Sequence, residues 1–159
     1  MIVLLALSSI TVFLCDSQIC VLNRSMATAN IQISKPTIHY YNISVYIAAT
    51  THEQEIGYMH TDTLGNNCSL NNITNFDACN PKGMLFVFKN QTPLCFWMHN
   101  TTIPLEQAWI ASNGTVLFVY YATPYSNISV CQSGQYVLET NGTYMPIQKG
   151  DIINLSHVG

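Results

Sequence analysis

The chain has 159 residues, which is room for one domain, and 48% of them are apolar, which is enough for a hydrophobic core. Charged residues make up 8% of the sequence, against about 25% in ordinary domains, and the net charge is −3. The five basic residues are scattered singly, which excludes the basic stripe by which proteins follow a nucleic-acid backbone.

Asn-x-Ser/Thr triplets are the feature that compensates for this lack of charge. Ten of the 15 asparagines open such a triplet, whereas the 27 serines and threonines would give about two or three by chance. N-linked glycans would hydrate a surface that ionised side chains do not. The alternative is a polar composition that carries no glycan. The predicted glycosylation sites are Asn23, Asn42, Asn67, Asn72, Asn90, Asn113, Asn127, Asn141 and Asn154.

Residues 1–22 are predicted to be a signal peptide or an N-terminal membrane anchor. The 13 residues from 2 to 14 are apolar apart from two serines and a threonine. This length fits a signal-peptide core better than a membrane-spanning helix, which needs about 20 residues. An uncleaved anchor that extends through residue 22 is the alternative. Either segment would export the rest of the chain, so we expect it outside the cytoplasm, secreted or anchored to the outer face of the cell membrane.

Residues 23–37 are predicted to be a polar linker, and residues 38–159 a single β-rich domain. From residue 40 the apolar side chains alternate with period two, which predicts a half-buried strand. Thr51 and Gln54 have capping-box spacing, which predicts a short helix that ends near Gly57. Further strands are predicted over residues 84–88, 94–98, 105–111, 116–121, 135–139 and 152–155.

The short connections between these strands indicate antiparallel neighbours. In a chain of this size, such strands usually close into a small barrel or a sandwich. The predicted fold is therefore mainly β (α+β), a small barrel-like antiparallel sheet of about seven strands with one packed short helix.

Four cysteines of the exported domain are predicted to form disulfides. Cys68 and Cys79 bracket an asparagine-rich loop, and in an exported chain this arrangement favours a bond between them. Cys95 is then the partner left over for Cys131, although the sequence does not fix the connectivity. Two cysteines without a suitably spaced histidine are too few for a structural zinc site, so no metal is predicted.

Five short segments occur in an order that resembles a known family. Residues 96–106 read Phe-Trp-Met-His-Asn-Thr-Thr-Ile-Pro-Leu-Glu, and residues 83–88 read Gly-Met-Leu-Phe-Val-Phe. With Gly57-Tyr58-Met59, Val137-Leu138-Glu139 and Gly150-Asp151, they resemble domain-of-unknown-function family 192, small bacterial and archaeal proteins, over about residues 38–157. The resemblance implies a compact, mainly β, barrel-like domain with a packed helix. It implies no activity, cofactor or partner.

The chain departs from this family pattern at three positions. The arginine that usually precedes Gly-Leu-Met is Ile56, the lysine of the central motif is His99, and its aspartate is Glu106. If the lysine serves an anionic ligand in the family, His99 would keep the positive charge only below about pH 6.5.

The polar corner within residues 96–106 is the predicted binding site. Trp97 and His99 share strand parity, so we expect them to face the same side, where Glu106 or Glu139 could complete a pocket with an aromatic wall. Asn100 belongs to the same corner, and a role as a turn residue is favoured over a glycan there. The competing interpretation is a core tryptophan with a hydrogen-bonded histidine at a strand end.

Three functions are compatible with the sequence. The first, which we favour, is an exported, non-enzymatic module that binds a ligand or an envelope protein at Trp97, His99, Asn100, Glu106 and Glu139. The second is a small hydrolase or metal-dependent enzyme that uses His99, Glu106 and Glu139, although nucleophile-elbow, zinc-helix and phosphate-loop motifs are absent. The third is a structural component of the cell envelope. No cofactor is predicted.

Overall fold

The computed structural model of the chain describes residues 26–36, 40–64, 81–142 and 146–158. These residues form one curled sheet of seven strands and one short helix, so the mainly β fold predicted from the sequence is confirmed. The predicted signal or anchor segment and the Cys68–Cys79 pair lie outside the described residues. In chain order the elements are β1 (Thr28–Ser34), β2 (Tyr40–Ala48), α1 (Thr51–Ile56), β3 (Gly83–Phe96), β4 (Leu105–Ile110), β5 (Val116–Ala122), β6 (Val130–Thr140) and β7 (Ile152–Asn154).

The strands lie in the order β5-β4-β6-β3-β2-β1-β7. All neighbours are antiparallel except β2 and β3, which run parallel with Tyr46 opposite Met84 and Ala48 opposite Phe86. The prediction of antiparallel pairing is therefore wrong for this pair. A parallel pair needs a long crossover, and α1 with the segment that follows it supplies this connection.

The two ends of the strand order meet, which closes part of the sheet into a half-barrel. The Val116 amide donates to the Asp151 carbonyl at 2.9 Å, and the Ile153 amide donates to the Gly114 carbonyl at 2.8 Å. Gly114 has a φ of 85°, and a Cβ there would lie 2.3 Å from the Ile153 carbonyl oxygen. Closure at this point therefore requires glycine.

Side chains alternate across the sheet and so build two hydrophobic cores. The inner core takes residues from all seven strands, among them Ile33, Val45, Leu85, Leu138 and Ile153. Because it joins strands from both ends of the sheet order, it fills the hollow of the curled sheet. The interior of the half-barrel is thus a packed core.

The outer core lies on the opposite face of β3, β4 and β6. At its centre is Trp109, which is fully buried and donates from Nε1 to the Leu94 carbonyl at 2.9 Å. Phe96 and Phe118 meet the Trp109 ring edge-to-face, with centroids 5.8 and 5.7 Å away. Tyr58, from the segment after α1, belongs to the same buried cluster, so the outer core joins the helical segment to the sheet.

The linker predicted over residues 23–37 is wrong for residues 28–34, because these form β1. β1 pairs with β2 on one side and with β7 on the other. Ile31 and Ile33 point into the inner core, while the residues around them are polar or partly exposed. Two alternating apolar side chains were too short a pattern to separate a strand from a polar linker.

The strands predicted over residues 84–88 and 94–98 are one strand, β3, whose register against β6 shifts between Val87 and Thr92. The chain therefore does not leave the sheet between the two predicted strands, and an irregularity of this kind tolerates a proline such as Pro93. Cys131, which precedes the strand predicted over residues 135–139, belongs to β6 and lies directly opposite Cys95. The two form a disulfide with a Cα–Cα distance of 4.0 Å, which confirms that predicted pairing.

Helix α1 begins one residue earlier than predicted, with Thr50 rather than Thr51 as its N-cap. The Glu53 amide donates to Thr50 Oγ1 at 3.3 Å, and Glu53 Oε2 accepts from the Thr50 amide at 2.8 Å, which makes a capping box. In the part of the chain that the structure describes, no helix is long and apolar enough to cross a membrane.

A buried ion pair fastens the end of β1 to the loop before β7. Lys35 Nζ lies 2.6 Å from Asp151 Oδ2, and it also donates to the Pro146 carbonyl. Asp151 is fully buried, and its Oδ2 accepts from the Gln148 amide at 2.8 Å. The Gly150-Asp151 segment therefore has a structural role in this chain.

We predict that Lys35→Met destabilises the fold, because it leaves the Asp151 carboxylate buried without a counter-ion. The free energy of unfolding should fall by about 3–5 kcal/mol in urea denaturation. Lys89→Met is the matched control, since Lys89 is exposed, and it should change the free energy by no more than about 0.5 kcal/mol. Equal losses in the two variants would contradict this assignment.

Candidate functional site

The polar corner predicted from the sequence is a turn between β3 and β4. The Thr101 amide donates to the Met98 carbonyl at 3.1 Å, and Asn100 has a φ of 54°. Asparagine tolerates this left-handed conformation better than most residues. The Asn100 carbonyl accepts from the His60 amide at 2.9 Å, so the turn is tied to the segment after α1. Asn100 therefore shapes the corner through its backbone.

Trp97 and His99 lie on the same side of this corner. Their rings stack with centroids 5.0 Å apart and an interplanar angle of 24°. Trp97 is 51% exposed, whereas Met98 between them is buried in the outer core. Trp97 is therefore a surface aromatic residue supported by His99, while the core tryptophan of this chain is Trp109.

Glu106 and Glu139 lie on opposite faces of the sheet. Glu106 of β4 is opposite Thr140 of β6, and Gln107 is opposite Glu139. Because successive side chains alternate, Glu139 and Gln107 face the outer core while Glu106 and Thr140 face the other side. Two carboxylates that flank a glycosidic bond must share one site, so this geometry contradicts a shared catalytic pair.

Glu106 serves the structure of the adjacent loop. Its carboxylate oxygens accept from the Ile147 amide at 3.0 and 3.1 Å, and Oε2 accepts from Thr140 Oγ1 at 3.3 Å. Burial raises the pKa of Glu106, and the hydrogen bonds from Ile147, Tyr121 and Thr140 oppose that rise. Glu106 thus holds Ile147 of the adjacent loop against the sheet.

A cleft of about 410 Å³ lies between α1 with the residues that follow it, β3, and Trp97. We name it the α1–β3 cleft. In the described part of the chain, five aromatic rings line it, and two of the polar groups in this lining come from opposite sides, Gln54 of α1 and Glu139 of β6. Its aromatic lining consists of Tyr58, Phe86, Phe88, Phe96 and Trp97. The volume and the lining of the cleft resemble those of small-molecule sites, which are mostly apolar with a few polar groups.

The cleft exists because α1 is held at a fixed distance from β3. Gln54 Nε2 donates to the Val87 carbonyl at 2.7 Å, at the point where the register of β3 shifts. Gly57 ends the helix with a φ of 47°, and a Cβ there would approach the Phe86 ring to 3.2 Å. The Tyr58 hydroxyl donates to the Leu64 carbonyl at 2.9 Å, which orients this ring within the outer core.

Glu139 is the buried carboxylate of the cleft. It is 4% exposed, and its Oε1 accepts from Gln107 Nε2 at 2.9 Å. Burial raises the pKa of Glu139 to about 7, and the hydrogen bond from Gln107 opposes this rise only in part. Glu139 therefore changes charge near neutral pH.

The structure brings together two of the five predicted binding residues. Trp97 and Glu139 line the cleft, His99 stacks on Trp97, Asn100 lies in the turn, and Glu106 lies on the other face. The contribution of α1 and of Phe86 and Phe88 to the cleft was not predicted from the sequence. Gly57-Tyr58-Met59 and residues 83–88 both match the family pattern, and this shared match is the sequence signal that could have indicated a common site.

No metal centre is found among residues 26–36, 40–64, 81–142 and 146–158, since no three His, Cys, Asp or Glu side chains there are placed to hold an ion.

Solved structures with this fold include two that cover most of this chain. One, a proposed transcription regulator from Sinorhizobium meliloti 1021, is 25% identical, with a TM-score of 0.69 over 82% of this chain and 95% of the other. The second, a protein of unknown function from Novosphingobium aromaticivorans DSM 12444, is 22% identical, with a TM-score of 0.64 over 80% and 84% of the two chains. No curated protein gives a match.

The family model DUF192, described as "Uncharacterized ACR, COG1430", matches residues 33–155. The match includes α1, β2–β7, the corner and the cleft. This chain belongs to the uncharacterised family DUF192.

Proposed function

We propose that this chain is a ligand-binding module that works outside the cytoplasm, and that the α1–β3 cleft is its binding site. The observation that carries the proposal is the cleft itself, about 410 Å³ with five aromatic rings and the buried Glu139 in its lining. A buried carboxylate beside exposed apolar surface is costly to maintain in a domain that only needs to be stable. Such a combination favours binding over a purely structural role.

The hydrolase alternative has little support in this geometry. Its three candidate residues, His99, Glu106 and Glu139, do not meet: His99 stacks on the exposed Trp97, and the two glutamates face opposite sides of the sheet. A nucleophile or a general base needs its partner within hydrogen-bonding reach. The role given to the Sinorhizobium relative is not carried over, because the few, scattered basic residues of this chain offer no track for nucleic acid.

Export is supported by the cystine and by the positions of the asparagines. Cys95 and Cys131 form a disulfide on an exposed part of β3 and β6, and such bonds persist in oxidising compartments. Asn23, Asn67 and Asn72 lie outside the described residues, and Asn141 is only 8% exposed, so we no longer propose a glycan on Asn141. The exposed sequon asparagines are Asn42, Asn90, Asn113, Asn127 and Asn154.

The binding proposal predicts that small aromatic or aliphatic molecules stabilise the protein through Trp97. In a screen of cationic, neutral and anionic compounds, at least one class should raise the Tm by about 3–6 °C at ten times its Kd. Trp97→Ala should reduce this shift. Tyr125→Ala, which removes an exposed aromatic ring outside the cleft lining, should not. A screen with no shift in the wild type, or equal shifts in both variants, would refute the binding site.

The export proposal predicts glycans at exposed sequons and none at the buried one. When the chain is secreted from a glycosylating host, Asn127→Gln should lower the intact mass by one glycan, since Asn127 is exposed. Asn141→Gln should leave the glycan mass unchanged, because oligosaccharide cannot be accommodated on a buried amide. An unmodified chain, or a glycan on Asn141, would contradict the proposal.

A further inference from the structure

We propose that the α1–β3 cleft binds a small organic cation, a molecule whose ammonium group meets the Glu139 carboxylate while its hydrocarbon part packs on the aromatic wall. The inference rests on the binding function proposed above and adds the chemical class of the ligand. Charge, ring arrangement and burial each support it.

Among the described residues that line the cleft, the charge has one sign. Glu55, exposed on α1, and the buried Glu139 are the ionisable carboxylates of these residues, and none of them is a lysine, arginine or histidine. Among the described residues the salt bridge is Lys35–Asp151, so Glu139 has no counter-ion there. A carboxylate removed from water without a cation is destabilised, and a bound ammonium would supply that cation. The same lining repels an anionic ligand.

The aromatic wall suits an ammonium group as well as an apolar body. The Phe96 ring is perpendicular to both neighbouring rings, at 4.9 Å and 88° from Phe86 and at 6.5 Å and 84° from Phe88. These rings therefore differ in orientation, so they do not all present the same edge or face to the cleft. Cations bind to ring faces, and the attraction is worth about 2 kcal/mol when water is excluded.

Glu139 is fixed by the strand register and cannot leave the cleft. One row across the sheet places Tyr46 of β2, Met84 of β3, Glu139 of β6 and Gln107 of β4 side by side. Gln107 donates to Oε1 at 2.9 Å, which orients the carboxylate. The ligand would thus meet a preorganised group, which reduces the entropic cost of binding.

The titratable groups around Glu139 are few. Burial raises the pKa of Tyr58 well above its usual range, and the charges of Glu139 and Tyr46 add to this, so Tyr58 stays neutral. From α1 the ionisable lining group is Glu55, which is exposed, and β3 and β4 contribute Met84 and Gln107 to the row. His99 stacks on Trp97 and requires its own control. Glu139 is then the group whose ionisation near pH 7 changes affinity for a cation.

Three probes of matched shape test the proposal. Choline is a permanent cation, 3,3-dimethylbutan-1-ol is its uncharged carbon analogue, and 3,3-dimethylbutanoate carries a negative charge on the same tert-butyl body. Binding to the full chain would be measured by calorimetry and by tryptophan fluorescence, to which the exposed Trp97 and the buried Trp109 both contribute. We expect choline to bind at least about tenfold more tightly than the alcohol, and the carboxylate to bind most weakly.

Glu139→Gln should remove the preference for choline over the alcohol. Glu106→Gln is the matched control, because it neutralises a buried glutamate of the neighbouring strand outside the cleft, and it should retain the preference. Should either variant fail to fold, wild-type choline affinity should still rise from about pH 6 to about pH 8 and level off above, since the cation prefers ionised Glu139. His99→Gln should leave this pH profile unchanged.

Equal or tighter binding of the alcohol would overturn the cation proposal and leave the binding function standing. Tightest binding of 3,3-dimethylbutanoate, or an affinity for choline that falls as pH rises, would overturn it as well. If none of the three probes binds, the cation proposal fails, and the wider compound screen then decides separately whether the cleft binds any small molecule.

Discussion

The pairing of β4 with β6 is the constraint from which the rest of the site follows. Both strands are buried on both faces where they pair, so each residue must belong either to the inner core or to the outer core. Glu106 and Glu139 differ by one position in this register and therefore fall on opposite faces. Glu106 then accepts hydrogen bonds from the loop at Ile147, and Glu139 lines the α1–β3 cleft. A slip of β6 by one residue would turn Glu139 to the face of Glu106 and would move each apolar side chain of β6 into the other core.

Burial disfavours the charged form of a carboxylate, and three buried carboxylates of the described residues differ in what offsets this cost. Asp151 is paired with Lys35, and Glu106 accepts hydrogen bonds from Ile147, Tyr121 and Thr140. Glu139 has Gln107 as its described donor and a pKa raised to about 7 by burial. Between the ordinary glutamate pKa and about 7 the folded state therefore holds a proton that the unfolded chain has released. Burial of Glu139 makes stability decline as pH rises through this window.

Part of this molecule was predictable from sequence because the relevant signals are local. Period-two alternation in β2 and the apolar run at residues 84–88 gave the strands, and the polar residues after β2 gave the helix within one residue of its cap. The number of predicted strands and their short connections indicated the mainly β fold, and the family resemblance agreed with it. β1 was missed because two isoleucines are too few to show a period. The continuous β3 was read as two strands because a proline usually ends pairing.

The candidate site was only half predictable, because it depends on contacts between distant parts of the chain. Parity along one strand correctly suggested that Trp97 and His99 share a side, but no local pattern places Gln107 opposite Glu139. The position of α1 over β3 depends on the hydrogen bond from Gln54 to the Val87 carbonyl. This bond lies at a register shift of β3 that could not be predicted from the sequence. The parallel pairing of β2 with β3, for which α1 and the segment after it form the crossover, has no local signal in the sequence either.

The most direct test of this account is the titration of the Glu139 side-chain carboxyl, followed by its ¹³C chemical shift in the folded protein. A midpoint near pH 7 is expected, because the carboxylate is buried in the cleft without a counter-ion among the described residues. A midpoint near the ordinary value of about 4.3 would show that Glu139 is solvated, and would remove the physical basis for the proposed site.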